Sequence, residues 1–135
     1  MICQVSEFRK NEPAPENGII FGWELIIDLY DCNPHAVSSE EDIRRFAKEL
    51  CEVIDMKAYG EPLTPYFGES QEHTKGFSLV QFIETSAIVG HFSEGKGSAY
   101  INIFSCRSFD YTKAETFTKD FFGAKRFHSR FLVRE

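Results

Sequence analysis

The sequence predicts an α+β fold, a two-layer sandwich in which an antiparallel sheet carries its helices on one face. Three observations predict it. Residues 19–31 alternate at strand period, with Trp23, Leu25, Ile27 and Leu29 on one side. Ile43, Phe46, Ala47, Leu50, Cys51 and Ile54 then recur at helical spacing. Three short apolar segments, 77–84, 87–92 and 98–105, follow one another so closely that antiparallel pairing is the simplest way to connect them.

Taken in order, residues 1–18 are polar, contain Pro13, Pro15 and Gly18, and read as an N-terminal arm on a single domain spanning 1–135. The first strand carries Glu24, Ile26, Asp28 and Tyr30 on its second face, where two carboxylates among apolar neighbours are unusual for a purely structural strand. Asn33-Pro34 marks a turn, and Ser38 or Ser39 can cap the helix whose first turn holds Glu40, Glu41 and Asp42. Residues 57–76, with Gly60, Pro62, Pro65, Gly68 and Gly76, read as loop with room for one short strand. Gly95, Lys96 and Gly97 turn the chain between the second and third of the close-set strands. Thr112 and Glu115 have capping-box spacing before a second helix that presents Ala114, Phe117 and Phe121 and stops at Gly123. Residues 125–133 form the last strand.

Composition narrows the function classes. The chain has 135 residues and a formal net charge of -6, which argues against a nucleic-acid partner. No apolar run approaches the ~20 residues of a membrane span, and no charged-then-apolar leader opens the sequence. Cys3, Cys32, Cys51 and Cys106 make no Cys-x-x-Cys pair, and His35, His73 and His128 lack ligand spacing, so no metal site is expected. A cytoplasmic protein with reduced thiols is the simplest expectation. With 14 Phe in so short a chain, a core or interface of flat side chains is expected, and an oligomer with it.

Chemistry concentrates in one stretch. Ser78, Ser86, His91 and Cys106 lie on or beside the three close-set strands. A serine, a histidine and a cysteine converging on one sheet can supply a nucleophile, an acid/base and a proton donor. For residue types this common the bland alternative is the more frequent one: a satisfied core histidine and a small buried cysteine.

The spacings carry a resemblance. Ser86 lies eight residues after Ser78, His91 five after Ser86, and Cys106 fifteen after His91. Gly76-Phe77-Ser78, Glu84-Thr85-Ser86, His91 and the run Ala99 to Cys106 are similar, in that register, to the prokaryotic S-adenosylmethionine decarboxylase family. Gly22, Leu25, Asp28, Tyr30 and Cys32 resemble the family's opening strand, and Lys113-Ala114 with Ala124 to His128 its closing helix and strand. The likeness covers roughly residues 20–130.

The resemblance implies a pyruvoyl enzyme of polyamine (spermidine) biosynthesis. Ser86 matches the serine that attacks the preceding carbonyl, here that of Thr85, so that the chain cuts itself and the new terminus becomes a covalent pyruvoyl group. His91 matches the histidine that assists the elimination, and Ser78 a serine that supports it by hydrogen bonding. The pyruvoyl forms a Schiff base with the substrate and takes up the electrons released with carbon dioxide. Cys106 matches the donor of the replacing proton. A homodimer is expected, with site residues gathered at the interface, where Glu24 or Asp28 can face the partner's pocket.

The chain departs from the family near the cut. Thr85 stands where the family has glutamate, Ala87 replaces a histidine, Asn102 an aspartate and Glu24 a histidine. His91-Phe92-Ser93-Glu94 shortens the family's turn, so that Glu94, matching the acid that holds the substrate's ribose, arrives one residue early. Two further readings follow from these departures. One is a pyruvoyl decarboxylase of a basic amino acid such as ornithine or arginine. The other is an unprocessed, non-catalytic paralogue that regulates an active partner.

Overall fold

The structure, a computed structural model, describes residues 3–4 and 19–135. Apart from Cys3–Gln4, the arm expected over residues 1–18 lies outside the described residues. The elements are β1 (Cys3–Gln4), β2 (Gly22–Tyr30), α1 (Pro34–Ser38), α2 (Glu40–Val53), β3 (Tyr66–Phe67), β4 (Gly76–Ile83), β5 (Ser86–Ser93), β6 (Ser98–Ser105), α3 (Tyr111–Phe122) and β7 (Arg126–Arg134). They build one sheet in the order β1-β7-β2-β6-β5-β4-β3. Every neighbouring pair runs antiparallel except β1 with β7, where Cys3 and Gln4 lie parallel to Phe127 and His128.

Strand alternation decides which residues meet the helices. Leu25, Ile27 and Leu29 of β2, Ile88 and Phe92 of β5, and Ile101 and Ile103 of β6 are all buried beneath α2 and α3. From α2 come Ile43, Phe46, Ala47, Leu50 and Cys51, the stripe the sequence predicts. Phe46 is fully buried, with ring centroids 4.8 Å from Phe122, 5.4 Å from Phe121 and 5.9 Å from Phe117. Truncating such a residue to alanine costs about 3–5 kcal/mol, so this cluster fastens the two helices to each other. Among the described residues the other face of the sheet carries no helix. Ile26, Val80, Val89, Phe104 and Leu132 lie on it half-buried, and Phe82 is exposed there.

The caps differ from expectation in two places. Asn33-Pro34 opens the short α1 rather than a plain turn: the Asn33 side chain accepts from the N–H groups of His35 and Ala36, and Pro34 brings its preset φ to the first helical position. Ser39, not Ser38, then caps α2 by accepting from the Asp42 N–H. Asp110, not Thr112, caps α3. Its carboxylate accepts from the N–H groups of Thr112 and Lys113, each at 3.1 Å, so the helix starts before Thr112. Glu115 therefore makes no capping box; it is buried toward the sheet and accepts from the Ser129 hydroxyl of β7. Gly123 ends α3 at φ 61, the left-handed position that favours glycine.

Candidate active site

The β4–β5 hairpin closes on the pair Ile83–Ser86, leaving Glu84 and Thr85 as the turn. Thr85 has φ 63. A left-handed second turn residue is normally glycine, and a β-branched side chain there costs about 1–3 kcal/mol. The Thr85 hydroxyl donates to the Glu84 carbonyl at 2.6 Å, which offsets part of that strain. The Thr85 carbonyl in turn accepts from the Cys106 N–H at 3.3 Å. Immediately after it, the Ser86 hydroxyl donates to the Ser105 hydroxyl at 2.7 Å. Strained turn, polarised carbonyl and held hydroxyl thus belong to one peptide unit, Thr85–Ser86. Cys106 is half-buried and follows directly on Ser105, the cross-strand partner of Ser86.

Ser78 and His91 meet at the other end of the same hairpin. They are cross-strand partners, and Ser78 Oγ lies 3.1 Å from His91 Nδ1. Tyr100, Asp28 and His128 continue the row across β6, β2 and β7 on the helix-free face. Burial pushes the Asp28 carboxyl above its ordinary range, against the pull of His128 and Arg130. On the same face Glu24 accepts from Asn102 Nδ2 and from Arg134 Nη1, both at 2.6 Å, so the two departures at 24 and 102 are bonded to each other.

A cavity of about 510 Å³ opens beside His91, lined by Phe67, Phe77, Phe92, Ser78 and Lys96 among others. Its floor is strongly aromatic, the kind of surface that takes a flat ring or a soft cation. Gly76 at its edge has φ 155, and a Cβ there would lie 1.9 Å from the Phe92 carbonyl oxygen. Glu94 stands one residue past the lining residue Ser93 and accepts from the Tyr66 hydroxyl at 2.9 Å.

All four sequence-predicted residues thus sit on one sheet, but at its two ends. Five residues of strand separate Ser86 from His91, about 17 Å, and the odd spacing turns their side chains to opposite faces. That separation could have been counted from the sequence. The contacts of Ser105 and Tyr66 could not, because each depends on strand register or on a loop's path. Cys32 and Cys51 are buried core thiols, pushed up to about 12 and about 11 by desolvation.

Among the described residues no group of His, Cys, Asp or Glu could hold a metal ion, and no helix is long and apolar enough to cross a membrane. The family model described as S-adenosylmethionine decarboxylase matches residues 23–135. An S-adenosylmethionine decarboxylase proenzyme of Clostridium botulinum, strain Langeland, is 27% identical over 114 residues, covering 84% of this chain and 93% of that protein. The proenzyme of the Loch Maree strain is 28% identical over 100 residues, 73% and 81% of the two chains. The crystal structure of the adenosylmethionine decarboxylase of Aquifex aeolicus superposes with a TM-score of 0.71 at 18% identity, covering 85% of this chain and 91% of that one, a likeness of fold.

Proposed function

Because the chain belongs to the S-adenosylmethionine decarboxylase family, we propose that it is a proenzyme that cuts itself between Thr85 and Ser86 and then decarboxylates S-adenosylmethionine for spermidine synthesis. The observation that carries this reading is the Thr85–Ser86 unit: a carbonyl at a strained turn, held by the Cys106 N–H, next to a fixed hydroxyl.

Ser86 Oγ attacks the Thr85 carbonyl carbon. The oxyanion that forms lies where the Cys106 N–H already points, so its stabilisation is built in before the reaction. Collapse breaks the carbon–nitrogen bond, the hydroxyl proton ends on the freed amine, and Thr85 is left as an ester on Ser86. A base then removes the Ser86 α-proton, the Cβ–O bond breaks, and Thr85 departs as a carboxylate. The residue left at 86 takes up water and releases ammonia to become the pyruvoyl terminus. The half-buried serine at the head of β5 fits this origin, since its side-chain carbon stays in place as the methyl and the new carbonyl forms at its Cα where the nitrogen was. When formed, that group is an electron sink for decarboxylation. Cys106, directly after β6, holds the proton that replaces carbon dioxide.

His91 is placed to be the base for a second copy. It lies at the far end of β5 from its own Ser86 and on the opposite face, and the helix-free face there mixes apolar Val80 and Val89 with polar Ser78 and Tyr100. A homodimer joined through this face, with a two-fold axis across the strands, sets the Ser78–His91 end of one copy beside the Ser86 end of the other. The aromatic cavity then takes the substrate, with Glu94 available to its ribose. Its lining carries Phe67, Phe77, Phe92 and Tyr100, which favours a substrate with a flat ring over a basic amino acid such as ornithine or arginine. Buried, unbridged Cys32 and Cys51 suit the reducing cytoplasm.

Intact mass under denaturing conditions tests the cut, and carbon dioxide release from carboxyl-labelled S-adenosylmethionine tests the reaction. Two fragments, 1–85 and a pyruvoyl-terminated 86–135, with labelled gas released, are expected. One whole chain that releases nothing would overturn the proposal in favour of a regulatory paralogue.

A further inference from the structure

We propose that Ser105 is the positioning residue for self-cleavage, fixing the Ser86 hydroxyl as a hydrogen-bond donor so that both of its lone pairs are free to attack; this rests on the cut proposed above. Ser105 is fully buried and is the cross-strand partner of Ser86. Its hydroxyl has three neighbours: the Ser86 hydroxyl at 2.7 Å, the Arg107 N–H at 2.9 Å and Met56 Sδ at 3.6 Å. Two of these have only one possible role. A backbone N–H can only donate, and a thioether sulfur can only accept. Ser105 must therefore accept from Arg107 and give its single proton to Met56. One lone pair is left, and only a donor can use it. Ser86 is that donor.

The consequence is directional. With its proton committed to Ser105, the Ser86 oxygen keeps its lone pairs clear for the Thr85 carbonyl. Met56 cannot take up a proton, so Ser105 cannot pass one on, and its action is to orient rather than to serve as base. The acyl shift needs none: the hydroxyl proton of Ser86 ends on its own nitrogen, and no outside reactant is consumed. Consecutive residues share the task, since Ser105 holds the attacking oxygen and the Cys106 N–H holds the oxygen of the carbonyl under attack.

The test follows freshly synthesised chains with and without hydroxylamine, which cuts an ester at Thr85–Ser86 but not an amide. Ser105→Ala should slow both spontaneous fragmentation and hydroxylamine cutting by about ten- to a hundredfold, the range for losing one orienting hydrogen bond at a reacting atom. Ser105→Thr, which keeps the hydroxyl, should stay within a few-fold of wild type. Met56→Leu should slow cutting less than Ser105→Ala, because Ser105 remains and only its orientation is freed. His91→Ala gives the contrasting signature of no spontaneous fragments but full hydroxylamine cutting, a block after the ester. A thermal melt confirms that Ser105→Ala is folded, and Ser105→Cys, of similar size but a poor acceptor, replaces it if it is not. Ser105→Ala that cuts as fast as a self-cutting wild type overturns this assignment alone. A wild type that stays whole and resists hydroxylamine overturns the self-cleavage reading and this assignment with it.

Discussion

The two ends of β5 are built on opposite plans. At its start, Ser86 is enclosed by a strained turn, the buried Ser105 and the Cys106 N–H, and two of the hydrogen bonds there fall on the Thr85–Ser86 unit. At its far end, His91 is exposed on an open aromatic cavity, bonded to Ser78 alone among the described side chains. One end is closed, with its polar groups already bonded to one another. The other is open and lacks anything of its own to act on. Within a single chain about 17 Å of strand separates His91 from Ser86, and the proposed two-chain arrangement rests on that separation.

The strongest way to break that contrast is complementation between two inactive chains. His91→Ala chains alone should stay whole, and so should Ser86→Ala chains. Co-expressed, the His91→Ala chains should be cut, because a Ser86→Ala partner supplies His91. Mass spectrometry of differently tagged chains reads the result, and a mixture that stays whole would show that each chain must use its own histidine.

Stability measurements sharpen the contrast. Gly76→Ala drives a methyl into the Phe92 carbonyl at the open end, and should lower stability by ~3 kcal/mol, about 10 °C in Tm. Asp110→Ala removes the α3 cap near the closed end and should cost ~1 kcal/mol in a denaturant titration, with Thr112→Ala near zero.

The smallest effect belongs to the row between the two ends. The folded Asp28 carboxyl sits above its ordinary value of 3.8, so across that window the folded state holds more protons than the unfolded one. Its contribution to stability therefore falls as pH rises through the window and stays lower above it. Asp28→Asn should raise Tm slightly at pH 7, and the gain should vanish below about pH 3.8. A gain that persists in acid would assign it to packing instead.

Much of the fold was legible because burial imposes its period on the chain. The stripe from Ile43 to Ile54 and the alternation from Trp23 to Leu29 each face the core as their spacing requires. What escaped was settled by competition between neighbours. Asp110 reaches the first free N–H groups of α3 before Thr112 can, and Glu115 is then drawn inward to Ser129. At the site, the residues with chemistry could be named from spacing, but their grouping could not. Ser78 with His91, and Ser86 with Ser105, are register facts, and register emerges only when strands pair.

The strand order carries one more consequence. A cut after Thr85 leaves β1, β2, α1, α2, β3 and β4 on one piece and β5, β6, α3 and β7 on the other. In the sheet β2 is flanked by β7 and β6, and β4 lies against β5. The two pieces are therefore interwoven, like fingers of clasped hands, and parting them means undoing four ladders at once, β1–β7, β2–β7, β2–β6 and β4–β5. The mature protein would keep its shape with no bond across the break, yet once unfolded and diluted its halves would have to find each other by collision. A molecule assembled this way is folded as one chain only once.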